Sequence, residues 1–200
     1  MPDTSAASTS STHTQIDGAI RMERLAADLY HVASMLLGDG EDAITLVEKA
    51  IREASGSAEE EAAAIQSLRW QLASDAVSLL ASQDPDALTA PDEADPSGPV
   101  SCIEGDELDA AGVTSAELEA MLTGPDNAHL RAWLESLPIS LRVIFVLRAV
   151  AGLGAGETSG LLADFGGPAA ENWTPASVRT IFRQALCSLA AQLLHATAER

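Results

Sequence analysis

The chain has 200 residues, 46% of them hydrophobic, with only three Phe, three Trp and one Tyr, and its 11 basic against 30 acidic side chains leave a formal charge of −19. That apolar share suffices for one moderate core or two small ones, and the scarcity of aromatics beside recurrent Ala and Leu predicts an all-α fold rather than a sheet protein. A charge this negative argues against a nucleic-acid partner, because Lys and Arg dominate binding to phosphate. It is unevenly spread, however: residues 53–126 hold 17 acids and one base, whereas residues 137–200 hold four acids and five bases. The acidity belongs to the middle of the chain, and DNA contact near the C-terminus is not excluded by it.

In chain order, residues 1–17 predict a disordered tail, since eight of the first 16 are Ser or Thr and little apolar surface is present to offset the entropy of ordering. The Met1-Pro2-Asp3 start has neither the basic opening nor the apolar run of a signal peptide. No apolar stretch reaches the ~18 residues of a membrane span, so the expectation is a cytoplasmic protein with no membrane partner.

Residues 18–83 read as a first helical unit. Leu25, Leu29, Val32, Met35 and Leu36 follow helical spacing, Gly38-Asp39-Gly40 interrupts it, and Ala43, Leu46, Val47, Ala50 and Ile51 resume it, which predicts a helical hairpin. A third helix is expected from about Ala58 to Ala81, with Ile65, Leu68, Leu72, Ala76, Leu79 and Leu80 as its buried stripe. Residues 84–99 then carry four prolines and five acids, which blocks regular structure. Residues 84–128 therefore read as an acidic Pro-rich linker, with a short helix at Ser115–Leu122 where Thr114 and Glu117 have capping-box spacing.

Residues 129–200 predict a second helical unit, with helices at His129–Ser136, Ser140–Ala151, Glu157–Ala163 and Pro175–Ala196. In the last of these, Thr174 suits the N-cap and Pro175 the first turn, while Val178, Phe182, Leu186, Leu189 and Leu193 share one face. Arg179 and Arg183 lie one turn apart on the free face, beside Ser177, Thr180 and Gln184. Such a strip of donors at a helix N-terminus can meet phosphates or base edges in a major groove. The same two arginines also suit an ordinary solvated helix surface. Arg142 and Arg148, one helix earlier, read as surface charge first and as phosphate contacts second.

Catalytic chemistry is not encoded in any recognisable spacing. The histidines (13, 31, 129 and 195) are scattered, no Ser/His/Asp or Cys/His set is credible, and the glycines form no phosphate loop. The expectation is no enzyme, no cofactor and no metal site. Cys102 and Cys187 stand far apart in no metal or redox spacing and read as incidental thiols of a reducing compartment.

The order of residues in the last third resembles the promoter-reading domain of extracytoplasmic-function sigma factors. Leu137-Pro138, Phe145, Leu147-Arg148, Gly152-Leu153, Glu157 and Leu161-Leu162 occupy that family's landmark positions, and Ser177 to Ala185 stands where its recognition helix runs. The resemblance implies a C-terminal helix-turn-helix with Thr174, Ser177, Arg179, Thr180, Arg183 and Gln184 toward promoter DNA. A second match precedes it: Leu29-Tyr30, Leu36-Leu37-Gly38-Asp39, Glu41-Asp42-Ala43 and Leu46-Val47 resemble the family's opening helices. There it implies contact with the RNA polymerase core through Asp39, Asp42, Leu46 and Glu48, and leaves room for an anti-sigma factor as a further partner. Residues 163–173 stand where the family has a three- or four-residue turn, and the third helix offers only Trp70 and Arg69 for single-stranded DNA. A diverged relative that does not initiate transcription, and acts as a protein-interaction module with a nucleic-acid-like acidic middle, is the alternative expectation.

Overall fold

The computed structural model describes residues 7–54, 61–90 and 128–198. All secondary structure among them is helical: α1 (Ala7–Leu37), α2 (Glu41–Ala54), α3 (Glu61–Gln83), α4 (Ala128–Ser136), α5 (Ile139–Ala149), α6 (Ala155–Phe165), a 3₁₀ turn (Pro168–Ala170) and α7 (Pro175–Ala198). The all-α expectation holds. Helix α1 begins at Ala7, inside the stretch whose composition predicts a disordered tail; extending a helix already nucleated downstream adds one hydrogen bond per residue fixed. The helix expected at Ser115–Leu122, and most of the acidic linker, lie outside the described residues.

The turns form where the glycines require them. Gly38 closes α1 at φ 87°, its N–H donating to Ser34 O at 2.8 Å. This is the left-handed helix end that glycine adopts without a Cβ penalty. Gly152 (φ 74°) makes the turn from α5 into α6, where the Gly154 N–H donates to Glu157 Oε2 at 2.6 Å and so satisfies one orphan donor of the helix start.

Helices α1, α2 and α3 pack on one another, and α7 packs on α4, α5 and α6. The two groups also meet: α1 lies against α4 and α5, and α3 against α6. The buried apolar residues consequently form one continuous cluster, from Leu29, Val32 and Leu36 through Leu72 and Val77 to Ile144, Phe145, Leu161 and Leu186. Phe145 stands at 0% exposure, edge-on to Trp133 (centroids 5.3 Å) and tilted against Phe182 (6.1 Å). The Trp133 indole N–H donates to Ser188 Oγ at 2.9 Å, which joins α4 to α7 and satisfies the polar edge of a buried ring.

Two polar contacts also join the groups, one exposed and one buried. Arg131 on α4 pairs with Asp39 in the α1–α2 turn, and Trp173, just before α7, donates its indole N–H to Leu88 O at 2.7 Å. Among the described residues no helix is long and apolar enough to cross a membrane.

Candidate nucleic-acid interface

The sequence-predicted strip is built from the start of α7. Thr174 Oγ1 accepts the Ser177 N–H at 3.1 Å, and Ser177 Oγ accepts the Thr174 N–H at 2.9 Å, so the two hydroxyls cap the helix reciprocally. Both side chains are half-buried and engaged by the cap. They position the strip. Replacing Thr174 with Ala is expected to remove about 1 kcal/mol of stability, read as a lower urea midpoint at unchanged slope; no shift would mean that the cap contributes nothing.

Beyond the cap, Val178, Ile181, Phe182, Ala185, Leu186 and Leu189 are buried, and the face opposite them is open. Arg179 and Thr180 are exposed, whereas Arg183 and Gln184 are half-buried. Thr180 Oγ1 donates back to Ala176 O at 3.2 Å, and the Arg183 Nε is buried with no hydrogen-bond partner among the described residues. A desolvated guanidinium N–H without an acceptor is costly. All six predicted residues thus fall on one helical segment with the two arginines one turn apart.

The earlier arginines have other tasks. Arg148 is half-buried, donates to Leu153 O at 2.8 Å and lies over the Phe182 ring at 5.1 Å, so it stabilises the turn after α5 and the root of α7. Reading it as surface charge or as a phosphate contact is corrected on that geometry. Arg142 is half-buried as well; burial lowers its pKa, with Glu135 opposing.

The excursion between α6 and α7 is a folded connection. Gly166 donates to Leu162 O at 2.7 Å, and a Cβ there would come within 2.6 Å of both that oxygen and the Ala170 Cβ. Trp173 is buried and Phe165 is exposed, so of the two aromatics in this stretch only Trp173 fills the core. Ala90 donates to Ala169 O, and Gly167 lies beside Ala81. The extra length therefore docks onto the end of α3 and the residues after it, while α6 and α7 remain packed together.

The polymerase-contact candidates lie in the α1–α2 turn and on α2. Asp39 is exposed but carries both the Arg131 pair and the Tyr30 hydroxyl. Asp42 is exposed and accepts from Gln83 Nε2 at 3.1 Å, Leu46 is half-buried, and Glu48 is exposed. Asp42 and Leu46 line a shallow groove of about 400 Å³ between α2 and α3, closed at one side by Lys49 and Asp75 at 2.8 Å. The hydrogen bond to Asp75 holds the Lys49 pKa above its ordinary value, against desolvation. Among the described residues no group of His, Cys, Asp or Glu could hold a metal ion.

Sequence reading misses one feature of α7. Cys187, half-buried on that helix, is disulfide-bonded, which corrects the expectation of incidental thiols. Two cysteines with no motif spacing carry no pairing signal that could announce it. No protein-family model matches the chain, and neither does any curated protein or solved structure.

Proposed function

We propose that the chain is a sigma-factor-like, non-enzymatic transcription initiation protein of the cytoplasm, which binds the RNA polymerase core through α2 and promoter DNA through a helix-turn-helix formed by α6 and α7. One observation carries the reading: a capped helix projects Arg179, Thr180, Arg183 and Gln184 from the face opposite its buried stripe. Arginines in this geometry suit phosphate or guanine, and glutamine suits adenine. The near-neutral charge of residues 137–200 makes the two arginines the main cationic contribution of α7 itself.

Arg179→Ala together with Arg183→Ala is expected to abolish DNA binding in a low-salt gel shift while leaving helicity unchanged. Any residual binding should depend less steeply on salt, because fewer cations then displace counterions from the phosphates. Retained binding would remove α7 from the reading.

A second reading, a diverged relative that does not initiate, is favoured by the common core. A factor that must reach polymerase and upstream DNA at once gains from halves that move apart, and a large apolar contact between them opposes that. Co-purification with core polymerase, followed by transcription from a promoter template, separates the two. Association without transcripts favours the non-initiating relative.

A further inference from the structure

We infer that α4 carries an autoinhibitory latch: Arg131 occupies Asp39, a candidate polymerase contact, and a partner that binds there through a cation must first displace it. The latch rests on the polymerase contact proposed above and adds its regulation.

Asp39 stands in the turn between α1 and α2, flanked by Gly38 and Gly40. Both of its carboxylate oxygens are engaged. The Tyr30 hydroxyl, from α1, lies 3.5 Å from Oδ1, and the Arg131 guanidinium, from α4, pairs with Oδ2. The two residues are 92 positions apart, so the fold and not a local turn brings the cation to the acid. An ionised carboxylate only accepts hydrogen bonds, and its partners are cations and N–H donors. Arg131 already fills both of those roles.

The build of α4 explains why this arginine faces the turn. At about 100° per residue, Arg131 and Trp133 project about 200° apart, to opposite sides of the helix. Trp133 turns inward: it is buried, edge-on to Phe145, and donates its indole N–H to Ser188 Oγ. That contact fixes α4 on α5 and α7 and leaves Arg131 toward the first helix group. A small void of about 10 Å³, lined by Ser34, Met35, Arg131, Leu134 and Glu135, separates α1 from α4. Because Arg131 lines an incompletely filled seam, swinging it away from Asp39 breaks no close-packed contact.

The exposure of the pair sets the size of the effect. The Arg131 and Asp39 side chains are 46% and 51% exposed, and an exposed ion pair shifts an equilibrium by about fivefold at most. That is too little to hold the two helix groups together, a task that falls to their common core. It suffices to tune how tightly a partner grips the acid itself. Arg131 and the partner's cation compete for one carboxylate, and Arg131 competes from within the same molecule at high local concentration.

The test measures binding of the labelled full chain to core RNA polymerase by fluorescence anisotropy, for wild type, Arg131→Gln, Asp39→Asn and the double variant. Arg131→Gln keeps part of the stem and removes the charge, and neither substitution empties a buried site. Arg131→Gln is expected to tighten binding about two- to fivefold. Asp39→Asn should bind more weakly than Arg131→Gln, and adding Arg131→Gln to it should change nothing, because no acid remains to be released. Unchanged or weaker binding by Arg131→Gln overturns the latch. A gain that persists in the Asp39→Asn background overturns it too, since that marks a general charge effect. If none of the four chains binds polymerase, the polymerase reading falls instead. The latch is then judged by carbodiimide labelling of carboxylates, read by mass spectrometry. Asp39 should react severalfold faster in Arg131→Gln than in wild type while Glu48 reacts as before; equal rates at Asp39 overturn it.

Discussion

Phe145→Ala is expected to lower the stability of the whole chain by about 3–5 kcal/mol, the usual cost of emptying a fully buried aromatic site. The ring has 0% exposure and touches Trp133 and Phe182, so its removal takes away two aromatic pairs and leaves a cavity among α4, α5 and α7. Since domains are stable by roughly 5–15 kcal/mol, the cost is a large fraction of the total. It should show as a fall in melting temperature of roughly 6–20 °C for a chain of this size. The informative part is cooperativity. Buried residues of both helix groups belong to one cluster, so helical circular dichroism and tryptophan fluorescence should shift together in a single transition. Two separated transitions, only one of them moved by the substitution, would mean that the groups have independent cores.

Much of this architecture is legible in the sequence because apolar spacing reports burial directly. Periodicity places Leu29, Val32, Met35 and Leu36 on α1, Leu72, Ala76 and Leu80 on α3, and Val178, Phe182, Leu186 and Leu189 on α7 on buried faces, and each is buried. Ile65, Leu68 and Leu79 share the expected α3 stripe but are only half-buried, and Leu79 lines the groove beside α2. The width of a helix's buried face depends on what packs there, and periodicity carries no such information. The Thr174 cap is equally legible, since capping is local chemistry at fixed spacing.

Contacts between residues far apart in the chain are what spacing does not encode. Asp39 with Arg131, Trp173 with Leu88, and the bond at Cys187 involve side chains whose own neighbourhoods give no hint of a partner. The candidate site shows the same division. Which α7 residues share a face follows from helical geometry, whereas the half-burial of Arg183 and the recruitment of Arg148 into the turn after α5 come from tertiary packing. Spacing alone makes Arg148 and Arg179 equivalent surface cations; the Leu153 carbonyl and the Phe182 ring make one of them structural.

Trp173 offers the sharpest test of why the connection before α7 is long. Its ring is buried, its N–H meets Leu88 O at 2.7 Å, and Leu88 is itself buried. Trp173→Ala should remove about 3–5 kcal/mol by vacating the site. Trp173→Phe keeps most of the volume but orphans the Leu88 carbonyl, for about 1–3 kcal/mol. Because Trp173 immediately precedes the Thr174 cap, the anchor also sets where α7 begins, and the Ala90 N–H bonded to Ala169 O lies in the same contact. Both variants should therefore accelerate exchange of the Ala90 amide, alanine more than phenylalanine, while Thr174→Ala, which weakens only the helix start, should leave that amide protected. If Trp173→Ala costs less than about 1 kcal/mol and the Ala90 amide exchanges as before, the excursion is not anchored to the residues after α3. The placement of α7 would then rest on α4, α5 and α6 alone.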